Sequence, residues 1–307
     1  MSVIVVTGAT GTIGGAVCRA LLARGDEVVV LSRDPERVEA VFEHDVTAFA
    51  WHEPTSTPPP VEAIAGADAV IHLLGEPIAQ RWDEGTRQRI RDSRVLSTRM
   101  LVATLREIPD DERPSVLVSQ SATGYYGPSD GRALDEQAPA GSDFLAHVVA
   151  EWENEALAAA DVTRVVLART GVVLSPSGGA LAKMLPPFRL GIGGPVAGGR
   201  QYVSWIHLED EVAALLFCVD HAEAHGPINL TAPNPVDNAE LSRGLGRALH
   251  RPAVLPVPGF ALALLYGEMG KIVTTGQRVI PRRLLEFGFE FRQPAIEPAL
   301  RDVLGGH

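Results

Sequence analysis

A doubly wound parallel α/β sheet with a smaller C-terminal lobe is the fold class this sequence predicts, and three observations carry it. Strand-like apolar runs alternate with helical patterns from residue 3 to about residue 170. The first of those runs leads straight into a glycine-spaced turn and a helix. After Arg169 the chain becomes rich in Gly and Pro over residues 175–199 and the alternation stops.

Taken in order, residues 3–7 form a continuous apolar run of the kind buried on both faces of a parallel sheet. Residues 13–24 follow as a helix, with Ile13, Val17 and Leu21 at helical spacing and Gly25 as its C-cap. Residues 27–32 read as the second strand, and the proline-bearing stretch 51–61 reads as a loop. Strands at 69–74, 115–121 and 164–169 then alternate with helices at 88–108 and 144–160. Residues 203–206 and 227–230 read as strands that return to the sheet, and 238–249 and 259–272 as further helices. Phe287, Phe289 and Phe291 alternate, which predicts a short strand with one aromatic face. The expected division is a nucleotide-binding domain over 1–170, with returning segments near 203–232. A smaller substrate lobe takes 171–202 and 233–307.

With 307 residues the chain buries a large core and needs no disulfide or metal staple. The formal net charge is −11, which repels phosphate backbones and argues against a nucleic-acid partner. Cys18 and Cys218 each fall within apolar helical patterns and read as small buried hydrophobes. No His/Cys cluster has metal-ligand spacing, so no metal is expected. The first residues lack a basic region and a small-residue cleavage site. No apolar run reaches the ~18 residues of a membrane span, the stretch 260–266 being too short. A cytoplasmic protein without membrane contact is the expectation.

The segment Thr7-Gly8-Ala9-Thr10-Gly11-Thr12-Ile13-Gly14 places its glycines where a Rossmann-type dinucleotide site needs them. Gly8 suits the tight turn off the strand, Gly11 the approach of backbone to a pyrophosphate, and Gly14 close packing of helix on sheet. The helix N-terminus, from Thr12 and Ile13 onward, offers unpaired N–H groups to phosphate oxygens. The second strand ends in Ser32-Arg33, where an NAD-specific site usually carries an acid. A hydroxyl beside a guanidinium suits a 2′-phosphate, so NADP(H) is the expected cofactor; the alternative is a solvated Arg33. Leu73, Leu74, Gly75 and Glu76 lie at a strand's C-terminal edge, as does Arg169, and complete the expected cofactor set.

Beyond the glycine turn, further signatures run the length of the chain. They are Leu74-Gly75-Glu76-Pro77 with Arg81-Trp82, Asp92-Ser93-Arg94, Ser121-Ala122-Thr123-Gly124-Tyr125-Tyr126-Gly127, Trp152-Glu153, Arg169-Thr170-Gly171, Trp205-Ile206-His207 and the stretch 276–284. Together they resemble the extended short-chain dehydrogenases/reductases, and more closely the atypical epimerase family group. Its members resemble nucleoside-diphosphate-sugar epimerases, are sometimes labelled SulA-like, and share a characteristic C-terminal domain. The resemblance implies oxidoreductase or isomerase chemistry, a small substrate such as a nucleotide sugar or carbonyl compound, and a homodimer formed through helices flanking the sheet.

The usual acid–base pair of those enzymes, a tyrosine with a lysine four residues on, is absent. The tyrosines are Tyr125, Tyr126, Tyr202 and Tyr266, followed four residues later by Ser129, Asp130, Ile206 and Gly270. By the family pattern the pair would fall near Phe144 and Val148, and the helping hydroxyl at Ala122, with Ser121 and Thr123 on either side. Two readings follow. In one, an enzyme with a rearranged site takes its proton from Tyr125 or Tyr126 beside Ser121 or Thr123, with Glu136 or His207 as partner. In the other, the protein binds NADP(H) without turnover, as a redox sensor or regulatory partner. The arginines at 278, 282, 283 and 292 face an anionic substrate or form a solvated surface.

Overall fold

The computed structural model describes residues 1–259 and 267–305. Its centre is a seven-stranded sheet in the order β11-β7-β5-β4-β1-β2-β3, every neighbouring pair parallel. The strands are β1 (Val3–Thr7), β2 (Glu27–Ser32), β3 (Thr47–Ala50), β4 (Ala69–His72), β5 (Val116–Ala122), β7 (Arg164–Thr170) and β11 (Gly226–Leu230). The order in which successive strands are added to the sheet reverses between β1 and β4, and at that switch the C-terminal strand ends open a crevice.

Alternation along the strands sorts the two faces. Ile4 and Val6 point into one cluster, which they share with α1 (Thr12–Arg24), α2 (Pro35–Val41) and α6 (Leu208–Asp220). Val5 points into the other, shared with α3 (Glu84–Glu107) and α4 (Phe144–Leu157). Cys18 and Cys218 are buried in the first cluster, where burial pushes both thiols up to about 12. Asp83 and Asp143 cap α3 and α4 by accepting from Thr86 N and Ala146 N. Gly25, at φ +83°, closes α1 as expected.

The small lobe has its own core. Leu181, Leu185 and Phe188 of α5 (Gly179–Arg189) pack with Trp205, with Leu241 and Leu245 of α7 (Asn238–Ala248), and with Ile296 and Leu300 of the last helix. The expected strand at 203–206 divides at Ser204. β9 (Tyr202–Val203) pairs antiparallel with β12 (Val236–Asp237), while β10 (Trp205–His207) pairs with β8 (Val172–Leu174). Neither joins the large sheet; of the two segments expected to return, only β11 does. The division follows from a close approach, since a Cβ on Gly171 would stand 2.5 Å from the Ser204 carbonyl oxygen.

The phenylalanine strand expected at 287–291 does not form. Helix α9 (Arg282–Glu286) runs to Phe287, and Gly288 at φ +80° turns the chain. The rings then stack in space: Phe289 lies edge-on to Phe217 and Phe291, and Phe287 packs on His221. Of the helix expected over 259–272, residues 260–266 lie outside the described residues, as does the apolar stretch they form. The described part holds a turn at Gly267–Met269 and α8 (Gly270–Thr274). No helix among the described residues is long and apolar enough to cross a membrane.

The C-terminal segment has no core of its own. Leu284 and Phe289 enter the cluster under α6, Ile296 and Leu300 of α10 (Ile296–Gly305) enter the small lobe, and Val279 packs on Tyr126 and Leu134. Polar stitches follow the same path. β13 (Arg278–Val279) pairs with β6 (Ala133–Leu134), and Asp210 accepts from Arg292 N and Gln293 N at 2.8 and 2.9 Å.

Candidate functional site

The crevice is built first by glycines. Gly8 sits at φ +73°, and a Cβ there would lie 2.8 Å from the Leu73 carbonyl oxygen, so the turn after β1 and the exit of β4 nearly touch. A Cβ on Gly14 would lie 2.2 Å from the Gly8 carbonyl oxygen. Only glycine lets α1 approach this closely. Gly11 begins α1 with no side-chain cap bond and no acid in the first turn, which leaves the helix N-terminus open to an anion. These are the contours a pyrophosphate requires, and the residues present fit a dinucleotide.

Beneath this turn runs a buried polar chain. Leu73 N donates to the Thr7 hydroxyl at 2.9 Å, and that hydroxyl bonds His72 Nδ1 at 2.9 Å. With Nδ1 accepting, Nε2 carries the ring proton toward Ser97 Oγ at 3.4 Å, and Ser97 donates to Ser93 O at 2.6 Å. Ser93 in turn accepts from Glu76 N at 2.9 Å. Full burial lowers His72 to about 3, so the ring stays neutral. This chain fixes the path of residues 73–76 along the crevice. The Thr7 hydroxyl is fully buried and serves His72 and Leu73. Leu73, Leu74, Gly75 and Glu76 do line the strand edge. The Glu76 carboxylate accepts from Gln80, and Arg94 donates to the Glu76 carbonyl.

At the far end of the crevice, Arg33 is exposed and has no ion pair among the described residues. Its carbonyl bonds His52 Nδ1 at 3.0 Å, and Ser32 Oγ accepts from Asp34 N. Asp34 caps α2 instead of facing the ribose position. His52 is a neighbour that sequence reasoning missed, because the loop bearing it returns only in three dimensions.

The strand-end cluster is the largest departure from expectation. Arg169, expected at the cofactor, is buried and paired two-pronged with Glu153 of α4 at 2.8 and 2.7 Å. Burial works against its charge, but Glu153 and Tyr126 overcome that penalty and keep it protonated. Ser121 donates to the same Glu153 at 2.5 Å, and Tyr126 receives Arg169 at 3.0 Å and donates to Asn229 at 2.7 Å. Burial pushes the Tyr126 phenol up to about 12. The polar atoms of Arg169, Ser121 and Tyr126 thus share one internal network. Tyr125 differs. Its half-buried ring lies over the Arg169 guanidinium at 3.5 Å, and its hydroxyl has no hydrogen-bond partner among the described residues. Val148, near the family's lysine position, is buried on α4, and Phe144, near the tyrosine position, packs against Trp82 and Arg87.

The other candidates make contacts within the fold. Glu136 is buried, which raises its carboxyl, and it accepts from Asn229 N. His207 caps α6 by accepting from Glu209 N. On the opposite face of the sheet, Glu211 is fully buried against Thr170, at 2.7 Å, with its second oxygen unpaired. Burial raises it to about 8. Of the C-terminal arginines, Arg282 pairs with Asp135 and Glu286, and Arg283 donates to carbonyls. Arg292 approaches Glu209, while Arg278 lies over Tyr202.

A parallel sheet with its glycine turn at the topological switch defines a dinucleotide-type α/β fold. The chain belongs to the NAD dependent epimerase/dehydratase family, whose model matches residues 4–230, and residues 257–303 match a domain of unknown function, DUF1731. It is 41% identical to the chloroplastic epimerase family protein SDR39U1 homolog of Arabidopsis thaliana, over 97% of this chain and 86% of that one. The crystal structure of human epimerase family protein SDR39U1 (isoform 2) with NADPH is similar at TM-score 0.89 and 34% identity, covering 99% of this chain and 100% of that one. A nucleoside-diphosphate sugar epimerase from Corynebacterium glutamicum is similar at TM-score 0.78 and 31% identity, this chain matching 58% of that longer one.

Proposed function

We propose that the chain binds NADP(H) across the crevice and acts as an oxidoreductase on a small carbonyl or alcohol substrate, with Tyr125 handling the proton. Gly8, Gly11, Thr12, Ile13 and Gly14 would hold the pyrophosphate, Ser32 and Arg33 the 2′-phosphate, and residues 73–76 the nicotinamide ribose. The NADPH-bound human relative supports that assignment. When bound, the nicotinamide supplies or accepts a hydride. Tyr125 gives its hydroxyl proton to the carbonyl oxygen, and Arg169 beneath the ring stabilises the negative charge left behind. The single observation that carries this reading is the Arg169 guanidinium 3.5 Å from the Tyr125 ring, whose hydroxyl has no hydrogen-bond partner among the described residues.

A second reading, NADP(H) binding without turnover, is favoured by the engagement of Ser121 and Tyr126 with Glu153, Arg169 and Asn229. Two measurements separate these. Nicotinamide fluorescence titrations with NADPH and NADH, for wild type and Arg33→Ala, test the cofactor. We expect a preference for NADPH that falls at least about tenfold in the variant, as two charge-assisted bonds require. A carbonyl substrate screen at 340 nm, a wavelength set by the reduced nicotinamide, then compares Tyr125→Phe with Tyr126→Phe. Loss of rate in the first alone supports the enzyme. Absence of turnover on every carbonyl, with NADPH binding intact, supports the second reading.

A further inference from the structure

The small lobe reaches back over the crevice through one helix. α5 is anchored in its own lobe by Leu181, Leu185 and Phe188, all buried. Two contacts near its start go to the opposite side. Gly178, just before the helix, lies so close to the glycine turn that a Cβ there would stand 2.0 Å from Thr12 Oγ1. One turn further on, Lys183 Nζ donates to the Ala79 carbonyl, in the segment that follows β4. α5 therefore bridges the two rims, the turn after β1 and the loop after β4, between which the crevice runs.

The ends of this bridge are marked by residues that interrupt a helix. Gly179 takes φ +69°, a left-handed conformation that suits glycine. Pro186 and Pro187 lie inside α5 and have no N–H, so the Ala182 and Lys183 carbonyls lack their helical donors. The first turns of α5 are thus joined to the rest by weakened backbone on both sides. Lys183 is also one of only two lysines in a chain otherwise supplied with arginine.

We propose that α5 is the retaining wall of the NADP(H) site, with Gly178 as its seat on the glycine turn and Lys183 as its latch on the loop after β4. The proposal rests on the reading that the crevice holds NADP(H). Release of a bound dinucleotide then requires Lys183 to leave Ala79 and the first turns of α5 to lift from Thr12. No nicotinamide chemistry is involved, so dissociation kinetics report on the wall directly.

The test is a stopped-flow chase. Protein loaded with NADPH is mixed with excess NADP⁺, and loss of bound-nicotinamide fluorescence gives the dissociation rate for wild type, Lys183→Met, Lys183→Arg and Gly178→Ala. Losing one latch bond is expected to speed release about tenfold in Lys183→Met, while Lys183→Arg, which can still donate, stays near wild type. Gly178→Ala is expected to release faster as well, because its methyl group would stand 2.0 Å from Thr12 Oγ1 and turn that side chain off the seat. Melting temperatures of the two Lys183 variants should stay near wild type, which separates a latch from a general loss of fold. Wild-type dissociation rates in both Lys183→Met and Gly178→Ala, with NADPH binding intact, would overturn the retaining wall alone. Failure of the wild-type protein to bind NADPH would overturn the cofactor reading and the wall with it.

Discussion

Replacing Glu211 by glutamine should make the protein more stable, and increasingly so as pH rises. Glu211 lies fully buried under β7 with one oxygen on Thr170 and the other unpaired. Burial raises its carboxyl from the ordinary 4.5 to about 8. The folded chain therefore holds a proton that the unfolded chain has already released, and it holds it between those two values. Stability must fall as pH climbs through that window and level off above it. The interval of 4.5 to about 8, at about 1.4 kcal/mol per decade, sets a penalty on the order of 5 kcal/mol at alkaline pH. Glutamine keeps the size and an acceptor oxygen for the Thr170 hydroxyl but has no proton to lose. We expect the two proteins to match near pH 5 and the variant to lead by roughly 2–5 kcal/mol at pH 8.5. Urea denaturation at pH 5, 6.5 and 8.5 measures this, because titrations shared by both chains cancel in the difference. A difference that stays constant with pH would refute the reasoning, since only a group titrating in that window can bend it.

Three further outcomes follow from the same structure. Glu153→Ala leaves the buried Arg169 charge without its partner and should cost roughly 3–5 kcal/mol in urea denaturation, as expected for half of a buried pair. His72 should show no imidazole titration by NMR between pH 5 and 8, because burial lowers it to about 3. Its contribution to stability is full above the ordinary value of 6.5 and is lost as pH falls from there toward 3. Gly14→Ala should abolish NADPH-dependent fluorescence, because its methyl group would stand 2.2 Å from the Gly8 carbonyl and force α1 off the turn.

The sheet and the glycine turn were legible because their signals are local. A β-strand's burial and a helix's spacing are written in consecutive residues, and the requirement for glycine at positions 8 and 14 follows from one turn. The strand-end cluster was not legible for the opposite reason. Whether Arg169 meets a phosphate or a carboxylate depends on Glu153, which reaches it across a helix and a strand. Sequence reasoning gave Tyr125 and Tyr126 the same standing, yet Asn229, far along the chain, engages only the second. The phenylalanines at 287, 289 and 291 show a different error. Period-two spacing was read as pleat, but Gly288 turns the chain and the rings meet through packing alone.

The distribution of the C-terminal segment among three clusters has a consequence for how the chain becomes a protein at all. Val279, Leu284, Phe289, Ile296 and Leu300 complete cores that begin more than a hundred residues earlier, so loop closure across most of the chain precedes the last gain in burial. Until residues 278–300 arrive, the helix face around Phe217, the small lobe and the floor beneath Tyr126 all lie open. The cores of the sheet and of the small lobe are therefore complete only when residues 278–300 dock on them.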